Sequence, residues 1–131
     1  MKYYVSICSL EDSVRRLLAL GGHVRFVKLV EFSKSANLPL SSAFQIFRKL
    51  HELGLARYVP RKGIMLTEHG IRLGVSLLKK LILTKMFLVC ALGLDEEAAE
   101  REACTLEHYI NEHVLTRIIE FLRNHHLRQI A

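Results

Sequence analysis

Apolar residues recur at helical spacing in three segments of the first half of the chain. The first segment spans residues 9–20, where Ser9 and Asp12 have the spacing of a capping box. The second spans residues 26–35, and the third spans residues 41–53 and keeps its apolar side chains on one stripe. We therefore predict three consecutive helices.

Two strand-like runs follow the third helix. They cover residues 55–59 and 64–66 and are joined by a Pro-Arg-Lys-Gly turn, in which Gly63 can adopt a positive φ. Arg61 and Lys62 lie at the tip of this turn. The segment predicts a β-hairpin with a basic tip.

The second half of the chain carries signals for helices only. Thr67 is the predicted N-cap of a helix that runs to about residue 92. Asp95 is the predicted N-cap of a helix that continues through residue 108, and Asn111 caps the last helix. The order of elements predicts a mainly α fold with a small β-hairpin wing.

The charge separates the chain into two parts. The formal net charge is +6 at pH 7. Residues 1–75 hold 12 Lys and Arg against 5 Asp and Glu, whereas residues 76–131 hold 7 against 8. We therefore predict a winged helix-turn-helix DNA-binding domain over residues 1–75 and a second, all-helical domain over residues 76–131.

The third helix is the predicted reading helix, because the second helix of such a pair enters the major groove of DNA. Its polar face carries hydroxyls and long donors that suit phosphates and base edges, and Gln45 is the best-suited base reader. Taken singly, a polar helix face and a basic turn are ordinary solvated surfaces, but the uneven charge favours double-stranded DNA. The DNA-binding candidates are Ser41, Ser42, Gln45, Arg48 and Lys49 on the helix and Arg57, Arg61 and Lys62 on the hairpin.

The helices after the hairpin carry more apolar surface than one small helical core needs. This excess predicts a homodimer. The apolar residues concerned are Leu77, Leu78, Leu81, Ile82, Phe87, Leu88 and Val89, with Ile118, Ile119, Phe121 and Leu122 as partners.

The cysteines and the apolar run indicate a cytoplasmic protein that does not enter a membrane. The chain contains three cysteines, an odd number, and they lie far apart in the sequence, which does not suggest a disulfide framework. No signal-peptide pattern precedes them. The apolar run over residues 75–92 contains three lysines, each of which would be costly in lipid. A helix buried between protein surfaces is the better interpretation.

Three metal-ligating residue types stand close together near the C-terminus. Cys104, Glu107 and His108 have the i, i+3, i+4 spacing of one helical face, so a thiolate, a carboxylate and an imidazole can converge on one cation. By composition alone the signal is weak, because Glu-His pairs are common on solvated helices and a single Cys is usually a small buried hydrophobe.

The same segment and the hairpin resemble the diphtheria toxin repressor family of metal-dependent regulators. The resemblance begins at Leu10-Glu11-Asp12, is firm over residues 54–70, and ends with the Glu102-to-His108 segment. It implies that Cys104, Glu107 and His108 occupy metal-ligand positions and that Asp12 occupies a ligand position in the first helix. Asp12 has an alternative role as a capping carboxylate at the start of that helix.

The chain departs from the family pattern at three positions. A His and a Glu of the family's long helix align with Leu81 and Lys85, and a carboxylate of the first helix is replaced by Arg15. The resemblance therefore implies one metal site instead of two. Because the sequence stops at Ala131, it resembles the two-domain members that lack an SH3-like domain.

These observations predict a metal-responsive DNA-binding repressor that controls metal homeostasis, with residues 76–131 as its dimerisation and metal-binding domain. A divalent ion would bridge the two domains as co-repressor, with Fe²⁺ favoured over Zn²⁺, Co²⁺, Ni²⁺ and the harder Mn²⁺ because a thiolate is soft. One alternative is a metal-independent regulator in which Arg15 and Lys85 partly replace the ion's charge. Another is a redox switch at Cys104. The sequence contains no Gly-rich phosphate loop and no second catalytic cluster, so we do not expect an enzyme. No small-molecule substrate is expected either.

Overall fold

The computed structural model describes the backbone of residues 7–130 and the side chains of residues 10–125. The chain divides into two compact units, Met1–Leu77 and Leu78–Ala131, called here the first and the second unit. The elements in chain order are α1 Ile7–Ala19, α2 Leu29–Ala36, α3 Leu40–Glu52, β1 Ala56–Val59, β2 Gly63–Leu66, α4 Glu68–Leu92, α5 Glu96–Leu106, a 3₁₀ turn Glu107–Tyr109 and α6 Glu112–Ile130.

The core of the first unit lies between α1, α2, α3 and the hairpin. Its large side chains with no exposed surface are Val14, Leu17, Val27, Phe32, Phe47, Leu50 and Ile64. The rings of Phe32 and Phe47 lie 5.3 Å apart, a distance typical of attractive aromatic pairs. The apolar stripe predicted for α3 is thus the part of that helix that closes the core.

Helix α1 begins before the predicted start. Its helical backbone already includes Ile7, so Ser9 lies inside the helix and the predicted capping box is wrong. The buried side chain of Leu10 continues the apolar stripe of Val14 and Leu17 toward the N-terminus, so the first turns of α1 pack on the core. The capping role considered for Asp12 is therefore wrong as well.

Helix α2 begins three residues later than predicted, at Leu29. Val27, two residues before α2, pairs with β2 of the hairpin. The N–H of Val27 donates to the carbonyl oxygen of Ile64 at 2.8 Å, and the N–H of Ile64 donates to the carbonyl oxygen of Val27 at 2.9 Å. Since both backbone groups of Val27 pair as in a strand, this residue cannot take part in a helix.

The predicted hairpin is confirmed, with Ala56 opposite Leu66 and Val59 opposite Gly63. Gly63 has a φ of +116°, and a Cβ atom there would lie 2.2 Å from the carbonyl oxygen of Val27. Gly63 is therefore required both by its backbone conformation and by the close approach of the residue 27 backbone. Arg61 also has a positive φ, of 73°, which is unusual for a residue with a side chain.

Thr67 caps helix α4 as predicted. Its hydroxyl oxygen accepts a hydrogen bond from the N–H of Gly70 at 3.2 Å, and the hydroxyl donates to the carbonyl oxygen of Gly54 at 2.6 Å. This second bond joins the start of α4 to the turn that ends α3. Helix α4 ends at Leu92, before Gly93 with a φ of 68°, also as predicted.

The second unit contains the remainder of α4, helices α5 and α6 and the 3₁₀ turn. The predicted caps are confirmed: Asp95 Oδ1 accepts from the N–H of Ala98 at 2.8 Å, and Asn111 Oδ1 accepts from the N–H of Val114 at 2.9 Å. Helix α5 ends at Leu106 and tightens into the 3₁₀ turn, two residues earlier than predicted. Among its described residues, the buried apolar cluster consists of Leu88, Ala99 and Ala103.

None of the helices in residues 7–130 combines the length and the apolar character needed to cross a membrane.

Candidate nucleic-acid interface and metal donors

Helix α3 presents a polar face away from the core of the first unit. Ser41, Gln45, Arg48 and Lys49 are exposed, as the sequence analysis expected of reading residues. These side chains supply hydroxyl, amide, guanidinium and ammonium groups, which suit phosphates and base edges. Arg48 also lies 4.0 Å from Glu52 one turn later.

Ser42, predicted as a DNA-binding residue, does not belong to this face, so that prediction is wrong. It is only 5% exposed and counts among the buried residues of α3. Its position four residues before Ile46 places it at the edge of the apolar stripe, on the core side of the helix. Among the described residues its hydroxyl oxygen has no hydrogen-bond partner.

Phe44 lies on the outer side of α3 and was missed by the sequence analysis. Its side chain is 38% exposed. The ring stands edge-on to Tyr58 of β1, with centroids 6.1 Å apart, and the guanidinium carbon of Arg48 lies 5.9 Å from its centroid. The available signal was an aromatic residue that falls between the apolar stripe and the polar face.

The hairpin presents the expected cations. Arg57, Arg61 and Lys62 are exposed, and the ammonium of Lys62 lies 5.6 Å from the centroid of the Phe26 ring. Lys28, which the sequence analysis did not select, joins Arg61 and Lys62 at a cleft of about 220 Å³ beside the hairpin. Three cations at one cleft form a strongly basic end of the first unit.

An ion pair fixes the segment that precedes α2. Both terminal guanidinium nitrogens of Arg25 contact the carboxylate of Glu31, one of them at 3.1 Å, and Arg25 also donates to the carbonyl oxygen of Leu20 at 2.8 Å. The hydrogen bond from Arg25 lowers the pKa of Glu31, and the same bond raises the pKa of Arg25.

His51 links the end of α3 to the hairpin. The N–H of Tyr58 donates to His51 Nδ1 at 3.1 Å. The hairpin and the reading helix are therefore connected by this bond, by the Thr67 bond to Gly54 and by the ring contact of Phe47 with Tyr58 at 5.6 Å. These contacts set the position of the wing relative to α3.

The metal-ligand candidates of the second unit have different surroundings. Glu107 is fully buried and His108 is nearly so, and His108 Nε2 lies 3.6 Å from Glu107 Oε1. Cys104, in the last turn of α5, is exposed. The structure thus brings the carboxylate and the imidazole together and leaves the thiol at the surface.

The remaining candidate, Asp12, lies on α1 in the first unit. Its carboxylate contacts the guanidinium of Arg15 at 2.7 Å. In the second unit, Lys85 lies 3.6 Å from Glu100 of α5. The two basic residues that depart from the family pattern are therefore both engaged with carboxylates.

The donor chemistry of Glu107 and His108 fits a divalent transition metal. A carboxylate oxygen and an imidazole nitrogen are ligands that iron, zinc, manganese and cobalt accept. Enclosing both groups in the protein orients them and keeps water away from the carboxylate. These two residues are the part of the proposed ligand set that the geometry of the second unit supports.

Comparison with known proteins identifies the family. A family model described as "Iron dependent repressor, metal binding and dimerisation domain" matches residues 67–127. An HTH-type transcriptional regulator of Methanocaldococcus jannaschii is 40% identical over 115 residues, which are 87% of this chain and 92% of that protein. The chain belongs to the diphtheria toxin repressor family.

Two other relatives are longer than this chain. The iron-dependent repressor IdeR of Mycobacterium tuberculosis is 32% identical over 80 residues, which are 61% of this chain and 35% of that protein. The crystal structure of T. acidophilum IdeR matches with a TM-score of 0.75 at 25% identity, covering 92% of this chain and 55% of that one. The chain thus spans about half the length of that solved structure.

Membership of the diphtheria toxin repressor family confirms the predicted fold class, a winged helix-turn-helix followed by a helical domain. The family consists of metal-dependent transcriptional regulators, and the domain matched by residues 67–127 is its metal-binding and dimerisation domain.

Proposed function

We propose that this protein is a metal-responsive repressor that binds operator DNA as a homodimer. The observation that carries the proposal is the buried Glu107–His108 donor pair, which lies inside the segment matched by the metal-binding family model. The first unit of the same chain carries a winged helix-turn-helix with a basic end. A metal-binding domain and a DNA-binding domain on one chain allow the ion to control binding to DNA.

The reading residues are the exposed side chains of α3. Gln45 reads a base edge, and Ser41, Arg48 and Lys49 contact phosphates or bases beside it. Arg57, Arg61 and Lys62 of the hairpin contact the phosphate backbone, and Lys28 joins them. Since Ser42 is buried, it supports the helix and does not reach DNA.

The proposed metal ligands are Glu107 and His108, with Cys104 and Asp12 as further candidates. When bound, the ion would supply positive charge and would couple metal binding to DNA binding. The thiolate favours Fe²⁺ over harder Mn²⁺, and both the matched family model and IdeR carry iron in their names. Cys104 and His108 must lose protons to bind metal, so metal affinity falls on acidification.

The test measures DNA binding with and without metal. Duplexes preferred by the protein are selected from a random pool in the presence of Fe²⁺ under anaerobic conditions. Affinity is then compared in Fe²⁺ and in excess chelator. Glu107→Gln and His108→Ala are expected to lose most of the metal stimulation, and Glu102→Gln, which removes an exposed carboxylate of α5, is expected to retain it. Equal affinity of the unmodified protein with and without metal would contradict the proposal.

A second candidate function is supported by the Arg15–Asp12 contact of 2.7 Å. In this alternative the guanidinium takes the place of the ion's charge, and the protein binds DNA without metal. Arg15→Ala would then weaken DNA binding in chelator. Under the metal-responsive proposal, the same substitution leaves binding in saturating Fe²⁺ intact because it removes a competitor for Asp12.

Dimerisation is proposed through the exposed apolar side of α4. Leu78, Ile82 and Met86 follow one another at intervals of four residues and are each about 40–50% exposed. The buried cluster of the second unit is small for a unit of this size, so an apolar partner surface would stabilise it. Leu88 and Ile118, which the sequence analysis assigned to the dimer surface, are buried within the chain, as is Leu77.

A further inference from the structure

Phe44 interrupts the polar face of the reading helix with an aromatic ring. It lies three residues after Ser41 and four before Arg48, and both of those residues are exposed. Its own side chain is 38% exposed, although the neighbouring apolar residues Ala43 and Phe47 have no exposed surface at all. The ring therefore stands at the surface of α3 next to Gln45, the proposed base reader.

The ring is held in a fixed orientation. Tyr58 of β1 contacts it edge-on at 6.1 Å and 78°, and Tyr58 itself packs on the buried ring of Phe47 at 5.6 Å. Arg48 covers the face of the ring at 5.9 Å. A side chain fixed in this way loses little conformational freedom on binding, which favours its use in recognition.

The major groove of DNA offers one apolar group, the C5 methyl of thymine. Phenylalanine is among the side chains that recognise it by apolar contact, and glutamine in turn pairs with adenine. A Phe-Gln sequence on the outer side of the reading helix therefore suits a site that contains thymine beside adenine.

We propose that Phe44 is a specificity-determining residue that recognises thymine in the operator by packing its ring against the C5 methyl group. This inference rests on the proposed DNA-binding function. It assigns Phe44 a role beyond its packing on Tyr58.

The test replaces single thymines of a selected duplex by deoxyuridine, which removes only the methyl group. The unmodified protein is expected to lose about three- to fivefold in affinity at one thymine of each half-site, the effect of one buried methyl group. Phe44→Ala is expected to bind thymine and deoxyuridine equally at that position. Leu53→Ala, which truncates another exposed apolar residue at the end of α3, should keep the full difference.

One further variant makes the outcome decisive. Phe44→Leu retains an apolar side chain beside Tyr58, and it replaces Phe44→Ala in the test if Phe44→Ala unfolds. The preference of Phe44→Leu for thymine over deoxyuridine should be reduced. If deoxyuridine has no effect at any position of the selected duplex, or if the effect survives in both Phe44 variants, the inference is wrong while DNA binding stands. If no duplex is preferred over random DNA, the proposed function fails together with it.

Discussion

At the scale of single residues, the hairpin tip combines a proposed DNA-contacting side chain with an unfavourable backbone conformation. Arg61 has a φ of 73°, which lies in the left-handed region of backbone conformation. Residues other than Gly, Asn and Asp rarely adopt this conformation. Its guanidinium belongs to the basic cleft that it shares with Lys28 and Lys62. We therefore expect this position to favour DNA binding at the expense of local stability.

Replacing Arg61 by Gly should separate these two effects. We expect Arg61→Gly to raise the free energy of unfolding by about 0.5–1 kcal/mol, because glycine relieves the strained φ. The same change should weaken DNA binding and reduce the slope of log affinity against log salt by about one. Chemical denaturation and binding at several salt concentrations measure the two quantities.

The matched control for Arg61→Gly is Arg101→Gln. It removes one positive charge from an exposed position in the second unit. The salt dependence of this control should equal that of the unmodified protein. A lower stability of Arg61→Gly, or an unchanged salt dependence, would contradict the assignment.

At the scale of elements, Thr67 shows how one side chain joins two helices. Thr67→Val removes the cap at Gly70 and the bond to Gly54 while keeping the shape of the side chain. We expect a loss of about 1–2 kcal/mol in the free energy of unfolding, because one N–H and one carbonyl oxygen lose their partner. Thr67→Ser keeps the hydroxyl and should lose much less. Equal denaturation midpoints for the two variants would refute this account.

The Arg25–Glu31 pair gives the segment before α2 a dependence on pH. The hydrogen bond from Arg25 holds the pKa of Glu31 below its usual range, so the folded state binds this proton less readily than the unfolded state. The pair therefore stabilises the fold above about pH 4.3, the ordinary pKa of Glu, and this contribution is lost as the pH falls further.

Glu31→Gln tests this dependence. The free energy of unfolding of this variant should fall less steeply between about pH 5 and pH 3 than that of the unmodified protein. Glu97→Gln, at an exposed position in the first turn of α5, controls for the loss of one carboxylate. Parallel pH profiles for the unmodified protein and Glu31→Gln would show that the pair does not contribute.

Elements that depend on local chemistry were predictable from the sequence. Thr67, Asp95 and Asn111 cap helices because their side chains reach N–H groups three residues later, a relation that a sequence contains in full. The start of α2 was not predictable, because it depends on the pairing of Val27 with Ile64, far away in the sequence.

The candidate site shows the same division. Helical periodicity placed Gln45 on the outer face of α3, but residues at the edge of a stripe can turn either way, and Ser42 was assigned to the wrong side. The spacing of Cys104, Glu107 and His108 indicated a shared face. The 3₁₀ turn that begins at residue 107 and the burial of Glu107, with the thiol left exposed, come from tertiary structure.

At the scale of the whole molecule, the second unit is where the chain is expected to meet a second copy. Operators read by helix-turn-helix dimers consist of two half-sites, so DNA binding by this family depends on association. The exposed stripe of Leu78, Ile82 and Met86 on α4 is the surface that we assign to this association. A charge in the middle of the stripe should therefore break the dimer and weaken DNA binding together.

Ile82→Glu places that charge at a residue that is 48% exposed. A substitution at such a position changes the free energy of unfolding of the single chain only slightly. Burying the carboxylate in an apolar interface without a partner would cost several kcal/mol, enough to shift the equilibrium to monomers at micromolar concentration. Light scattering should give the mass of one chain for Ile82→Glu and of two for the unmodified protein. Val24→Glu, at a 74% exposed apolar residue of the first unit, should remain dimeric. A dimeric Ile82→Glu with unchanged DNA affinity would place the interface elsewhere, because no apolar contact centred on Ile82 can accommodate a carboxylate without losing affinity.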